Sequence, residues 1–347
     1  MPLPRRGTTA LALAVAAALA LTACGSDSAT ESGSGPAATD RKAGATPGPV
    51  EEDFTKVIEQ TAALGTDAAP GEFPRTVKHA MGTVEIPARP QRVVVLDVGE
   101  LDNVVSLGVK PVGYAPTEGD ARLPSYLREK AGDPKSVGTV NALNLEAIAA
   151  LKPDLILGTQ LRLASQYAQL KAIAPTVLSL RPGFPWKENY LLNAAALDRT
   201  AKARAGLAAY EEKAADLGRD LGGDKPTVTM LRYMPGEIRL YARASFIGTV
   251  LEDVGIPRPK NQQADELSTN VSTERIDDAD ADWIFTGVYG DPAKTDRSEV
   301  EDSPLWEGLG AVEAGRAEDV SEETWYLGLG VTAAHEVLDD LRGHLLK

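Results

Sequence analysis

The chain is poor in the side chains that metal sites, disulfides and nucleic-acid faces require. It holds 1 Cys and 3 His among 347 residues. One cysteine excludes an intramolecular disulfide and any multi-cysteine zinc or iron–sulfur centre, and three histidines make a His cage possible only if all three converge. His79 stands alone, and His335 and His344 lie too far apart on one helix to share a face. Basic residues are outnumbered, 36 Lys+Arg against 50 Asp+Glu, for a formal charge of −14, so the basic face that phosphate contacts need is missing and nucleic acid is not an expected partner. No P-loop and no HExxH occurs, and no GxSxG lies outside the Gly/Ser-rich stretch after Cys24. The Gly328–Ala333 segment GLGVTA matches GxGxxA, but no βαβ context precedes it. Acidic residues fall mostly in helical runs and loops, where solvated faces are the default, so an exported enzyme using cleft carboxylates is a remote alternative.

What is present begins with the cysteine itself. Arg5 and Arg6 form a basic n-region, and Leu11 to Ala23 is an apolar stretch too short to span a bilayer as a folded helix. Leu21-Thr22-Ala23-Cys24 is similar to the lipobox of bacterial lipoproteins, in which Cys24 would carry a diacylglycerol. Residues 1–23 then read as a signal peptide, for Sec rather than Tat export. Their loss removes two Arg and no acid, taking the charge from −14 to −16. Two acyl chains suffice for stable anchoring. Residues 24–70 read as a flexible, lipid-anchored tether, because the Gly/Ser/Ala/Thr/Pro-rich run to Pro49 buries too little apolar area to offset its ordering entropy.

The globular part reads as α/β. The run RVVVLD (92–97) suits a buried strand, a helix follows through Leu101, Val104, Val105 and Leu107, and Gly108 and Pro111 end it. Asn144 caps a short helix before a strand at 154–158, and another strand spans 176–180. Residues 186–223, without Pro and with no Gly before Gly206, predict one connecting helix of roughly 45 Å, the alternative being a helix pair broken near Gly206 or Gly218. This divides the chain into an N-terminal lobe at 71–185, a connecting helix at 186–223 and a C-terminal lobe at 224–347. In the second lobe, strand 227–233 turns at Pro235-Gly236 into a second strand. Ser245 and Gly255 then bracket a helix, and 330–347 closes the chain as an amphipathic helix.

The lobes echo each other. Placing NLEAIAALKPDLIL over STERIDDADADWIF aligns Glu146 with Glu274, Ile148 with Ile276 and Asp154 with Asp282. Each Glu falls in a helix's first turn, which the helix dipole alone favours, while the repetition points to a shared docking role. Open α/β sheets bind ligands beyond the carboxyl ends of their strands. Those ends carry Asp97, Tyr114, Gln160, Arg162, Arg181, Trp186, Arg232, Tyr233, Tyr289, Trp325 and Tyr326, although aromatics are only 5% of the chain. Arginine with aromatics makes a cleft for a rounded ligand bearing exposed oxygens.

The lipobox and tether, the segments VKHAMGTVEIPARPQRVVVLD and NLEAIAALKPDLILGTQ, the mid-chain helix, RYMPGEIRLYARASFIGTVLEDVGIP and SPLWEGLGAVEAGRAEDV together resemble iron–siderophore ABC transporter binding proteins. They are most similar to actinomycete siderophore-binding lipoproteins, including desferrioxamine binders. The resemblance implies two Rossmann-like lobes bridged by one long rigid helix, a monomer on the outer face of the cell membrane, and no catalysis. It implies a ferric siderophore held between the lobes, with all iron ligands supplied by the siderophore and no metal ligand or cofactor of the protein's own. It also implies that Glu146 and Glu274 dock onto Arg residues of the permease. Net acidity favours a hydroxamate of the desferrioxamine class, with Arg232 donating to its oxygens and Trp186, Tyr233, Tyr289 and Trp325 packing on its methylenes. Arg162 and Arg239 are further candidates. A catecholate siderophore, haem or cobalamin remain alternatives within the same architecture.

Overall fold

The computed structural model describes residues 53–118 and 122–346. The signal peptide, Cys24 and most of the tether lie outside the described residues.

The tether ends sooner than residue 70. Asp53 accepts a hydrogen bond from the Lys56 N–H and starts helix α1 (Phe54–Ala62), which buries Phe54, Val57 and Thr61. Composition averaged over the segment hid this helical spacing. Its apolar face packs on Phe184 and Ala244, with the Phe54 and Phe184 rings 4.8 Å apart and the Arg243 guanidinium 4.8 Å from the Phe54 ring. The antiparallel hairpin β1 (Arg75–His79) and β2 (Gly82–Ile86) follows. His79 is buried rather than available: its Nδ1 accepts from the Met81 and Leu178 N–H groups, and burial lowers its pKa to about 4.

The N-terminal lobe is a parallel sheet. Strand β3 (Val93–Val95) leads into helix α2 (Val98–Ser106), then strands β4 (Gly113–Tyr114) and β5 (Lys135–Ser136). Helix α3 (Leu145–Ala150), capped by Asn144, precedes strand β6 (Leu155–Thr159), short helix α4 (Gln160–Leu163) and strand β7 (Thr176–Ser179). The strand order β5-β4-β3-β6-β7 reverses direction between β3 and β6, where doubly wound sheets open a ligand crevice. Val93, Val94, Val95, Leu155, Ile156 and Leu157 are fully buried, as the unbroken apolar runs predict.

The stretch expected as one connecting helix is divided. Helix α5 (Trp186–Ala196) packs on α2, and helix α6 (Thr200–Asp220) carries the chain across to the second lobe. At 21 residues α6 is about 31 Å long. The break falls at Asp198, with φ +57°, not at a glycine. Its carboxylate accepts from the Gly71 N–H and from Arg75, each a partner far away in sequence, and also pairs with Arg89. Burial opposes the Asp198 charge, but these donors outweigh it and hold the carboxyl below its ordinary value. The hairpin's buried Arg75 therefore sets where the helix stops.

The C-terminal lobe is mixed. Strands β8 (Val228–Met234) and β9 (Glu237–Tyr241) form a hairpin, followed by helix α7 (Phe246–Val254) and strand β10 (Ser268–Val271). A 3₁₀ stretch at Thr273–Ala279 leads into strand β11 (Trp283–Val288), strand β12 (Ala317–Asp319), helix α8 (Glu322–Trp325) and helix α9 (Val331–Leu345). The order is β10-β9-β8-β11-β12, with β8, β11 and β12 parallel. The aligned aspartates do equivalent work. Asp154 accepts from the Gln91 and Arg92 N–H groups before β3, and Asp282 accepts from the Thr227 N–H before β8. Ile148 and Ile276 are both fully buried, whereas Glu146 and Glu274 are exposed.

The two lobes meet at a carboxylate. Asp102 of α2, fully buried, accepts from the Thr332 N–H at 2.9 Å and the Ala333 N–H at 3.0 Å, capping α9 from the other lobe. Gly330 occupies the cap position itself, and a Cβ there would stand 2.6 Å from the Asp102 side chain. Burial pushes the Asp102 carboxyl up to about 6. Among the described residues no helix is long and apolar enough to cross a membrane.

Asp198→Ala would leave Arg75 without its carboxylate partner while buried. It is expected to cost about 3 kcal/mol in urea unfolding at neutral pH. The wild-type advantage should fade as pH falls through the depressed Asp198 pKa, because protonation removes the same pairs.

Candidate functional site

At the reversal point of the first sheet, Asp97 leaves β3 and caps α2, its Oδ1 accepting from the Val98 N–H at 2.9 Å. Oδ2 accepts from the Thr159 hydroxyl at 3.1 Å and from Arg162 Nε at 2.7 Å. Arg162 sits on α4, directly after β6, and its side chain remains 31% exposed while that of Asp97 is 0% exposed. The Asp97 charge raises the Arg162 pKa further. Glu100, one helical turn on, is buried; Ser179 Oγ donates to its Oε1 at 3.2 Å and its Oε2 has no partner among the described residues. Burial, then the neighbouring Asp97 charge, pushes the Glu100 carboxyl up to about 8.

The second lobe presents a matching pair built the other way round. Here the arginine is on the strand: Arg232 of β8 donates through Nε to Glu322 Oε1 at 2.8 Å, through Nη2 to the same oxygen, and through Nη1 to the Tyr241 hydroxyl at 2.8 Å. Burial opposes the Arg232 charge, but Tyr241 and Glu322 outweigh it. Its guanidinium lies 4.9 Å from the Tyr289 ring and 5.3 Å from that of Tyr326. Arg239 is the cross-strand neighbour of Arg232 on the same face, and it donates to Glu237 Oε2 at 2.7 Å. Tyr326 crosses β11 to donate to the Leu231 and Phe285 carbonyls. Only glycine at 287 permits this, since a Cβ would stand 2.3 Å from the Tyr326 ring. Between the lobes runs a mainly apolar crevice lined by Val98, Leu101, Tyr114 and Pro116 on one side and Glu323 and Leu327 on the other. The Ser125 N–H donates to Glu323 Oε2 at 2.8 Å across it.

Four of the sequence candidates thus group at the strand ends: Arg162, Arg232, Arg239 and the half-buried Tyr289, whose phenol also bears on the Arg162 charge. Three do not. Tyr233 is fully buried because strand alternation turns it to the opposite face from Arg232, into a core with Ile238 and Trp306. Trp186 is fully buried, donating to Thr249 Oγ1 at 3.0 Å and packed edge-on against Tyr210 and Phe246. Trp325 is fully buried too, donating to Asp340 Oδ2 at 2.9 Å and leaning on Phe285. These three are core residues and are withdrawn as ligand contacts. Arg232 is itself only 5% exposed, so it supports Tyr289 from beneath. Sequence reasoning missed Glu322, Glu237 and Tyr241. The last was findable, since it lies two positions beyond Arg239 and so on the same strand face. Among the described residues no group of three or more His, Cys, Asp or Glu could hold a metal ion.

Comparison with known proteins agrees with this architecture. A family model described as "Periplasmic binding protein" matches residues 93–321, and the chain belongs to that family. It is 39% identical over 287 residues to the "Probable siderophore-binding lipoprotein YfiY" of Bacillus subtilis, covering 79% of this chain and 88% of that protein. It is 30% identical over 285 residues to the Fe(3+)-citrate-binding protein YfmC of the same organism, covering 79% and 88%. The structure of Staphylococcus aureus SirA complexed with staphyloferrin B matches with TM-score 0.70 and 34% identity, over 78% of this chain and 98% of that one. The chain is accordingly a solute-binding protein and not an enzyme.

Glu100→Gln tests the buried acid. A carboxyl whose folded pKa is raised favours the fold most at low pH and loses that contribution as pH rises through the folded value near 8. The Gln variant should therefore melt progressively above wild type as pH climbs from about 4.5 to 8.

Proposed function

We propose that this protein is the extracytoplasmic, lipid-anchored capture component of an iron importer. It binds a ferric siderophore between its lobes and hands it to the permease of an ABC transporter. The siderophore we propose is a hydroxamate of the desferrioxamine class. The observation that carries this choice is charge compensation: Arg162, Arg232 and Arg239 are each already paired with a carboxylate, Asp97, Glu322 and Glu237. A tris-catecholate ferric complex, with about three negative charges, would meet no uncompensated charge at these three arginines. A neutral tris-hydroxamate core needs donors and apolar contact, which Arg162 and Tyr289 supply. The names of relatives that bind siderophores or ferric citrate support the ligand class.

In this reading Arg162 points its unused N–H groups at the ligand's oxygens while Nε stays on Asp97. Tyr289 packs on the ligand with Arg232 behind it. Cys24 carries the lipid, in line with the lipoprotein naming of the Bacillus subtilis relative. Glu146 and Glu274, exposed at equivalent places in the two lobes, dock onto the permease as a monomeric binding protein delivers its load.

Native mass spectrometry against a panel of ferric siderophores is the direct test. A 1:1 ferrioxamine complex is expected, and capture of catecholate complexes without ferrioxamine would overturn the hydroxamate assignment. Arg162→Ala should weaken ferrioxamine binding by about 1.5–3 kcal/mol, the range for a hydrogen bond to a charged group. Glu146→Ala combined with Glu274→Ala should leave that affinity unchanged in a titration and abolish iron uptake by cells.

A further inference from the structure

A guanidinium can donate five hydrogen bonds. Arg162 commits Nε to Asp97, and among the described residues its two terminal NH2 groups are left for a ligand. Arg232 commits Nε and Nη2 to Glu322 and Nη1 to Tyr241. Arg239 commits Nε and Nη2 to Glu237. In all three the acid takes Nε and cancels the charge. The acids thereby cancel the charge at these three arginines, while Arg162 keeps charge-assisted donors for a ligand. The arrangement is also independent of the lobe. In the first the acid is on the strand side and the arginine on a following helix; in the second the arginine is on the strand and Glu322 comes from α8.

We propose that Asp97, Glu322 and Glu237 are specificity-determining residues that cancel the cleft's cationic charge, so that it selects neutral or singly positive ferric complexes over anionic ones. The assignment rests on the ferric-siderophore reading above. Glu322 is suited to the part because its side chain is 19% exposed beside the nearly buried Arg232, close enough to the surface for its charge to be felt there. Glu237 is 39% exposed and its replacement disturbs no core, whereas Asp97 is buried.

The test titrates wild type, Asp97→Asn, Glu322→Gln and Glu237→Gln with two probes at low and high salt. One probe is ferrioxamine B, a singly positive tris-hydroxamate complex, and the other is ferric dicitrate, which is anionic. Wild type should prefer ferrioxamine B. Each variant should move the ratio of the two dissociation constants about tenfold toward ferric dicitrate, the order of effect of one unit charge near a protein surface. High salt should shrink that movement. A merely structural role would weaken both probes together and leave the ratio alone. A ratio within about twofold of wild type in the folded variants overturns the assignment while leaving the siderophore reading intact. Should Asp97→Asn or Glu322→Gln fail to fold, Glu237→Gln decides, because its site is exposed. Wild-type preference for ferric dicitrate, or binding of neither probe, overturns both the hydroxamate class and the assignment.

Discussion

The two-lobed arrangement depends on one contact, the Asp102 carboxylate seated on the first turn of α9. A helix begins with backbone N–H groups that have no partner in the helix, and here the partner comes from the opposite lobe. The residue at the cap position is glycine because the foreign carboxylate needs the space. Burial raises the Asp102 pKa, so the joint holds a group that resists ionising and is kept charged by the N–H donors it caps. The two sheets also share one core, running from Val93 and Leu155 through Trp186 and Tyr210 to Trp325 and Leu341.

The cleft follows from sheet topology together with this joint. Strand order reverses beside β3 in the first lobe, and β8 lies centrally in the second, so both lobes offer the carboxyl ends of adjacent parallel strands. Each end carries an arginine locked to an acid. Locked side chains cost less ordering entropy on binding than mobile ones, which suits a protein that captures its ligand rather than transforming it.

Much of this was legible in the sequence where the cause is local. Asn144 and Ser245 cap helices through their own side chains, and the buried strands β3 and β6 are read from apolar runs. The paired positions of Glu146 and Glu274 were visible because each is exposed shortly before a strand, although Glu274 sits in a 3₁₀ stretch rather than an α-helix. What failed was set by partners far away in sequence. Asp198 breaks a helix-favouring stretch because Arg75, more than a hundred residues earlier, claims its carboxylate. Tyr233 is adjacent to Arg232 and points the other way, and Trp325 follows a strand but turns inward. Position at a strand end says where a residue is, not which face it serves. Glu322 carries no periodic signal and becomes meaningful only when α8 folds back over β8.

Helix α1 touches Phe184 of the first lobe and Ala244 and Arg243 of the second. It is also the first described element of the chain. Any mechanical load arriving from the segment that precedes Asp53 enters at a seam spanned by one short helix, and so pulls on both lobes together.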